Sequence, residues 1–219
     1  MSQLQITDSL HAVSDRSRFR WAYDRNAPRP LRYYDQPLLE SEDFVVIPTL
    51  GPLVPGWVLI VPKLRLQRFS NLPTHLEVEF ITIARSIRDA LKVFEGDFFL
   101  FEHGSKPGSP ASCGVEQAHM HALILKFDLI SMSRSQSRMN WNSSSKTLLP
   151  APVNSLSEEY LFASDGEASI LTTVNRPVSQ WFRRLIATSL GRSQEWDYRA
   201  YQFHHNISKT IRTFSSYAG

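Results

Sequence analysis

Apolar positions along this chain follow two different periods. Asp43-Phe44-Val45-Val46-Ile47-Pro48 is a short apolar run that predicts a strand. Trp57-Val58-Leu59-Ile60-Val61-Pro62 is nearly continuous and predicts a strand buried on both faces. Between them, Thr49 to Gly56 carries Gly51, Pro52, Pro55 and Gly56, the composition of a turn-rich loop. From Pro73 to Phe94 the period changes. Leu76, Phe80, Ile83/Ala84, Ile87, Ala90/Leu91 and Phe94 recur at the spacing of an amphipathic helix. Asn71 or Thr74 supplies a start signal and Gly96 a stop. Asp97 to Glu102 predicts a third strand, and Gln117 to Phe127 a fourth. Strand, strand, helix, strand, loop, strand is the order of an α+β unit with a helix packed on one face of a mixed sheet.

The flanks differ from this central unit. Residues 1–35 are polar, with Arg16, Arg18, Arg20, Arg25, Arg29 and Arg32 against Asp8, Asp15 and Asp24. They predict a solvated surface helix and a loop at 26–30; an arm that contacts phosphates or a partner is the alternative. Residues 131–158 are serine-rich and closed by Pro150 and Pro152, which predicts a long flexible insertion. Order is expected to return with a strand over 168–174 and helices over 179–190 and 206–214. The division is therefore an N-terminal segment 1–35, a core 36–130, the insertion 131–158 and a C-terminal extension 159–219.

Composition narrows the class. A hydrophobic fraction of 42% and an aromatic fraction of 11% over 219 residues suffice for one sizeable core. The net charge of +3 favours anionic ligands without demanding nucleic acid. A lone cysteine, Cys113, excludes an internal disulfide and suits a reducing compartment. No apolar run has the length of a signal peptide or a membrane span. The expectation is a soluble cytoplasmic protein with no membrane partner and no sequence-specific nucleic-acid partner.

Candidate chemistry concentrates in Gln117-Ala118-His119-Met120-His121. Alternation on a strand puts Gln117, His119 and His121 on one face, about 6–7 Å from one to the next. Upstream lie Phe101-Glu102-His103-Gly104 and the Gly/Ser/Pro-rich loop 105–114. Three chemistries use His-x-His on a strand. Both imidazoles can bind a metal, with His103, Cys113 or Glu116 as third ligand. One can attack phosphorus while the other balances charge or protonates the leaving group, with Lys63, Arg65 and Lys106 as candidate cations. Or both can satisfy hydrogen bonds in the core. Smaller features read as structure: Cys113 as a small loop residue, His204-His205 as a surface cap, and Trp181, Phe182 and Trp196 as core of the extension. Arg183, Arg184 and Arg199 read as a solvated or ion-paired face; one of them reaching the phosphate site is the alternative.

These residues resemble a known family. Gln117-Ala118-His119-Met120-His121-Ala122-Leu123 is similar to the histidine triad (HIT) motif, His-φ-His-φ-His-φ-φ, with glutamine in place of the first histidine. Residues 56–65 resemble the family's strand ending in Pro-Lys-x-His, with Arg65 in the final position. Phe101-Glu102-His103-Gly104 resembles the opening of the phosphate loop in a bacterial HIT-like branch, which also carries a tail similar to 179–184 and 195–199. The resemblance implies a HIT-like antiparallel sheet with packed helices plus a C-terminal α/β extension, and pairing into homodimers. It implies a nucleotide phosphohydrolase or nucleotidyltransferase acting at an α-phosphate through a covalent nucleotidyl-histidine, with no cofactor and with a nucleotide or nucleotide-conjugate substrate. His119 maps onto the nucleophile, His121 onto the charge and leaving-group partner, and Gln117 onto an orienting hydrogen-bond donor. His103, Arg65, Lys63, Cys113, Gly114, Thr49 and Ile47 make up the expected phosphate- and nucleotide-binding set. Thr49 stands where many members carry an acidic residue for the ribose hydroxyls. Gln117 cannot titrate, so a catalytically weak nucleotide- or phosphate-binding protein on the same fold is the alternative, beside a metal-dependent enzyme using His-x-His.

Overall fold

Side-chain alternation sorts the apolar runs onto the two faces of one sheet. The computed structural model describes residues 18–29, 32–106, 117–137, 139–143, 147–153, 158–176 and 178–217. Its strands are β1 (Leu39–Glu40), β2 (Phe44–Pro48), β3 (Val58–Pro62), β4 (Asp97–Gly104), β5 (Met120–Leu125), β6 (Asn142–Ser143), β7 (Glu159–Ser164) and β8 (Ser169–Val174). They form an eight-stranded antiparallel sheet in the order β1-β2-β3-β5-β4-β7-β8-β6. The helices are α1 (Arg20–Tyr23), α2 (Glu77–Leu91), α3 (Leu129–Arg134), α4 (Trp181–Ser189) and α5 (His204–Tyr217). The α+β architecture expected from the sequence is what the chain adopts.

On one face, even-numbered residues such as Phe44, Ile60, Leu100, Ala122 and Phe162 pack beneath Phe80, Ile87 and Leu91 of α2 and Phe214 of α5. Each such aromatic or branched side chain contributes about 1.5–3 kcal/mol by leaving water. On the other face, odd-numbered residues such as Trp57, Phe99, Phe101, Leu123 and Leu161 pack against α3 and α4. Glu77 and Glu79 in the first turn of α2 and Arg88 in its last complement the helix dipole. Gly96 returns the chain to the sheet at φ +130, where an added Cβ would lie 2.3 Å from the Leu125 carbonyl oxygen.

Three regions depart from expectation. The described part of 131–158 is folded onto the sheet rather than extended from it. The side chain of Asp128 caps α3 by accepting the Ile130 and Ser131 N–H groups. Met139 and Trp141 pack on the odd face, Leu149 is buried on the even face, and β6 pairs with β8. Strand β7, absent from the sequence reading, is a central strand that pairs with β4 from Leu100↔Ser164 to Gly104↔Tyr160. In the N-terminal segment, Phe19 is 1% exposed and packs with Val45, Ile47, Leu59 and Val61, so this part of 1–35 is not a solvated surface.

The C-terminal extension reads the backbone of the loop 49–56. Arg183 donates to the Gly51 carbonyl, Asn206 Nδ2 to Pro52 O at 2.8 Å and Arg192 Nη1 to Leu53 O at 3.1 Å. Thr210 Oγ1 accepts the Gly56 N–H at 2.8 Å. Gly51 has φ +55, and a Cβ there would lie 2.4 Å from Tyr201 O, so only glycine admits this approach. No helix among the described residues is long and apolar enough to cross a membrane.

Candidate active site

His119 stands one residue ahead of β5 and His121 within it, so both rings project from the odd face, with centroids 5.3 Å apart. Each ring has one nitrogen already committed. His119 Nδ1 lies 2.9 Å from the Gln117 main-chain carbonyl oxygen, which can only accept. That bond puts the proton on Nδ1 and leaves the Nε2 lone pair. His121 Nδ1 lies 2.9 Å from the Trp57 indole N–H, which can only donate. Nδ1 is therefore the acceptor, and the proton sits on Nε2. Neighbouring neutral imidazoles thus present a lone pair and an N–H. Phe101, opposite His121 in the β4–β5 register, stacks on it at 4.5 Å and 12°, which holds the ring plane.

Burial keeps both rings neutral. It pushes His119 down to about 4, with the positive charge of Arg18 adding and the Gln117 hydrogen bond opposing. His121 is driven well below the ordinary histidine range, first by burial and then by repulsion from His119, Arg183 and Arg18.

The rings open into a cleft. Its walls include Arg18, Phe19, Thr49, Leu50, Leu59 and His103, and from the extension Gln180, Trp181, Phe182, Arg183 and Tyr198. Arg18 is ion-paired with Asp35 at 2.8 Å, and the Phe19 ring lies 5.5 Å from His119. Arg183 is buried, with its guanidinium 4.7 Å from the Trp57 ring, and is not part of a solvated face.

The expected site residues separate. His119, His121, His103 and Thr49 share the cleft. Gln117 is 3% exposed, and its side chain does not line the cleft. Its amide Nε2 donates to Pro62 O at 3.0 Å and Leu64 O at 2.7 Å, and Oε1 accepts the Leu66 N–H at 3.2 Å. It orients His119 through its main-chain carbonyl, not through its side chain. Arg65 is exposed and does not line the cleft. Lys63 reaches Ser41 O at 2.7 Å and Glu40 at 2.9 Å on the edge of the sheet. Ile47 belongs to the apolar cluster under Phe19. Cys113 and Gly114 lie outside the described residues. Among the described residues no three His, Cys, Asp or Glu side chains converge to hold a metal ion.

Sequence reasoning missed Trp57, Phe19, Leu50, Phe101 and Tyr198 as site residues. Trp57 had the only available signal, an indole at the head of a strand otherwise made of Val, Leu and Ile.

Residues 32–127 match the family model for the HIT domain, which spans β1 to β5 with both histidines and His103. Over that stretch the chain is similar to the HIT domain. Among solved structures, a Hit-like protein involved in cell-cycle regulation from Bartonella henselae is 21% identical, covering 40% of this chain and 64% of its own, at TM-score 0.34. A hypothetical histidine triad nucleotide-binding protein from Sulfolobus tokodaii is also 21% identical, covering 45% of this chain and 64% of its own, at TM-score 0.33. This chain thus spans less than two thirds of those structures. No curated protein matches it.

Proposed function

We propose that this protein hydrolyses or transfers nucleotidyl groups through a covalent intermediate on His119. The observation that carries the reading is the complementary tautomer pair, a lone pair on His119 Nε2 beside an N–H on His121 Nε2. In the first step the His119 lone pair attacks the α-phosphorus of a nucleotide conjugate. A P–N bond forms, and the bond from phosphorus to the leaving group breaks. The leaving group departs with the bonding electrons, hydrogen-bonded by His121 and protonated from solvent. A neutral His119 is the reactive form, and the cleft keeps it neutral down to about pH 4. Water, or a second acceptor, then displaces the nucleotidyl group from the imidazole.

The walls suit a flat, apolar group next to the reacting phosphate. Phe19, Leu50, Leu59, Trp181 and Tyr198 supply the apolar surface. Thr49 in the cleft is a neutral hydroxyl partner for the nucleoside.

The test is intact-protein mass measured after a rapid quench that avoids acid, with a panel of nucleoside phosphoramidates and dinucleoside polyphosphates. Wild-type protein is expected to gain the mass of a nucleoside monophosphate or to release that product, and His119→Ala to do neither. If wild type yields neither adduct nor product across the panel, the reading fails.

A further inference from the structure

We propose that His103 and Glu159 form a general-base dyad that activates the water releasing the nucleotidyl group from His119; this rests on the nucleotidyl-histidine reading above. On β4, His103 shares the odd face with Phe101 and stands opposite Leu161 of β7. Glu159 precedes Leu161 by two residues, so alternation sets it on the same face as a diagonal neighbour of His103. The two meet, with His103 Nε2 3.0 Å from Glu159 Oε2, and their side chains are 7% and 1% exposed. A carboxylate only accepts, so Nε2 carries the proton and Nδ1 the lone pair.

That Nδ1 is buried and has no hydrogen-bond partner among the described residues, although the ring lines the cleft with His119 and His121. Leaving a buried nitrogen unpaired costs about 1–3 kcal/mol, and a bound substrate or water removes that cost. The carboxylate holds the ring in the tautomer that exposes Nδ1 and stabilises the imidazolium formed when Nδ1 takes a proton.

The other two histidines that line the cleft cannot supply this base. In the intermediate His119 has a proton on Nδ1 and phosphorus on Nε2. His121 accepts from Trp57 through Nδ1 and carries its proton on Nε2. Gln117 does not titrate, and its side-chain amide is bonded to the 62–66 segment. The water oxygen bonds to phosphorus while one of its protons moves to His103 Nδ1. The P–N bond breaks and its electrons return to His119 Nε2, which leaves as neutral imidazole. His103 imidazolium then loses its proton to solvent.

The experiment follows adduct formation and decay on the full chain with a nucleoside phosphoramidate, for wild type, His103→Gln, Glu159→Gln and His119→Ala. His103→Gln is expected to form the adduct within a few-fold of the wild-type rate and to lose it about 100-fold more slowly, the lower end of general-base effects. Azide attacks without needing deprotonation, and it is expected to restore release in His103→Gln while barely changing wild type. Glu159→Gln keeps an acceptor but no charge and is expected to slow decay by a smaller factor; it carries the test if His103→Gln does not fold. Decay at the wild-type rate in both variants, or slow decay that azide leaves unchanged, overturns the dyad while the adduct on His119 stands. If no protein forms adduct and wild type makes no product, the nucleotidyl-histidine reading falls and the dyad's role with it.

Discussion

Glu102 and His103 are successive residues of β4, both with buried side chains, and they serve opposite faces of the sheet. On the even face, Glu102 accepts the Phe69 N–H at 2.9 Å and the Tyr160 hydroxyl, while Tyr160 in turn accepts the Ser70 N–H at 3.0 Å. Both carboxylate oxygens have partners. Burial raises the Glu102 carboxyl to about 7, the kind of shift often taken to mark a functional site. Yet its partners are Phe69 and Tyr160, and it does not line the cleft. On the odd face, His103 has one nitrogen bonded and one waiting. A displaced titration by itself does not separate support from chemistry; incomplete hydrogen bonding beside open space does.

This contrast can be broken by substitution, and the largest effect is expected at the nucleophile. His119→Ala is predicted to lower turnover by at least about 10⁴-fold, as loss of a covalent nucleophile does, while the circular-dichroism spectrum stays unchanged. Residual activity above one tenth of wild type would place the chemistry elsewhere. Glu102→Ala is the converse. It strands the Phe69 N–H and the Tyr160 hydroxyl and is predicted to cost about 3 kcal/mol in denaturant melts, with kcat per folded molecule within about threefold of wild type. A tenfold loss of kcat at full folding would erase the distinction between the two faces.

Smaller changes sharpen it. Gln117→His, which restores the residue of the triad motif, breaks the contacts to Pro62, Leu64 and Leu66. It is predicted to lose about 1–2 kcal/mol without raising turnover; a rise would mean that Gln117 limits a catalytically weak protein. Trp57→Phe removes the indole N–H that sets the His121 tautomer, and about a tenfold fall in kcat is expected, with KM little changed.

The smallest effect is on pH dependence. His119 is near 4 when folded and 6.5 ordinarily, so the unfolded chain binds more protons between those values and stability falls as pH drops from 6.5 toward 4. Glu102 runs the other way, near 7 when folded and 4.5 ordinarily, and its contribution is lost as pH rises through that window. His119→Gln is therefore predicted to gain stability relative to wild type at pH 5 compared with pH 8, and Glu102→Gln to show the reverse. Parallel melts of each variant at the two pH values check both signs.

Much of the framework could be read from the sequence because it rests on local periodicity. Strands β2 to β5 and helices α2, α4 and α5 fall where apolar spacing places them. The histidine pair was legible for the same reason, since alternation alone puts His119 and His121 on one face. What was hidden depends on distant partners. Strand β7 shows four apolar or aromatic residues, Tyr160 to Ala163, after a polar stretch, and only β4 and β8 on either side define it as a strand. Phe19 is one of several aromatics in an arginine-rich segment, close to Trp21 and Tyr23, with no period that marks it out as the buried one. The Trp57–His121 bond spans 64 positions, and the Arg183 bond to Gly51 spans 132. Lys63 and Arg65 were favoured because their charge suited phosphate, but charge gives no direction, and the sheet edge claimed one while solvent claimed the other.

Strands β5 and β4 occupy the two middle places of the eight-stranded order, and β1 and β6, the outer ones, have two residues each. Fraying of a sheet begins at its rims, so the amides of Phe101 and His121 are reached last. In hydrogen exchange these amides should open only with the whole molecule, while the walls contributed by Phe19 and α4 exchange sooner. The consequence on heating is that the walls loosen while the histidine strand still stands, so substrate binding is expected to fade before the fold does.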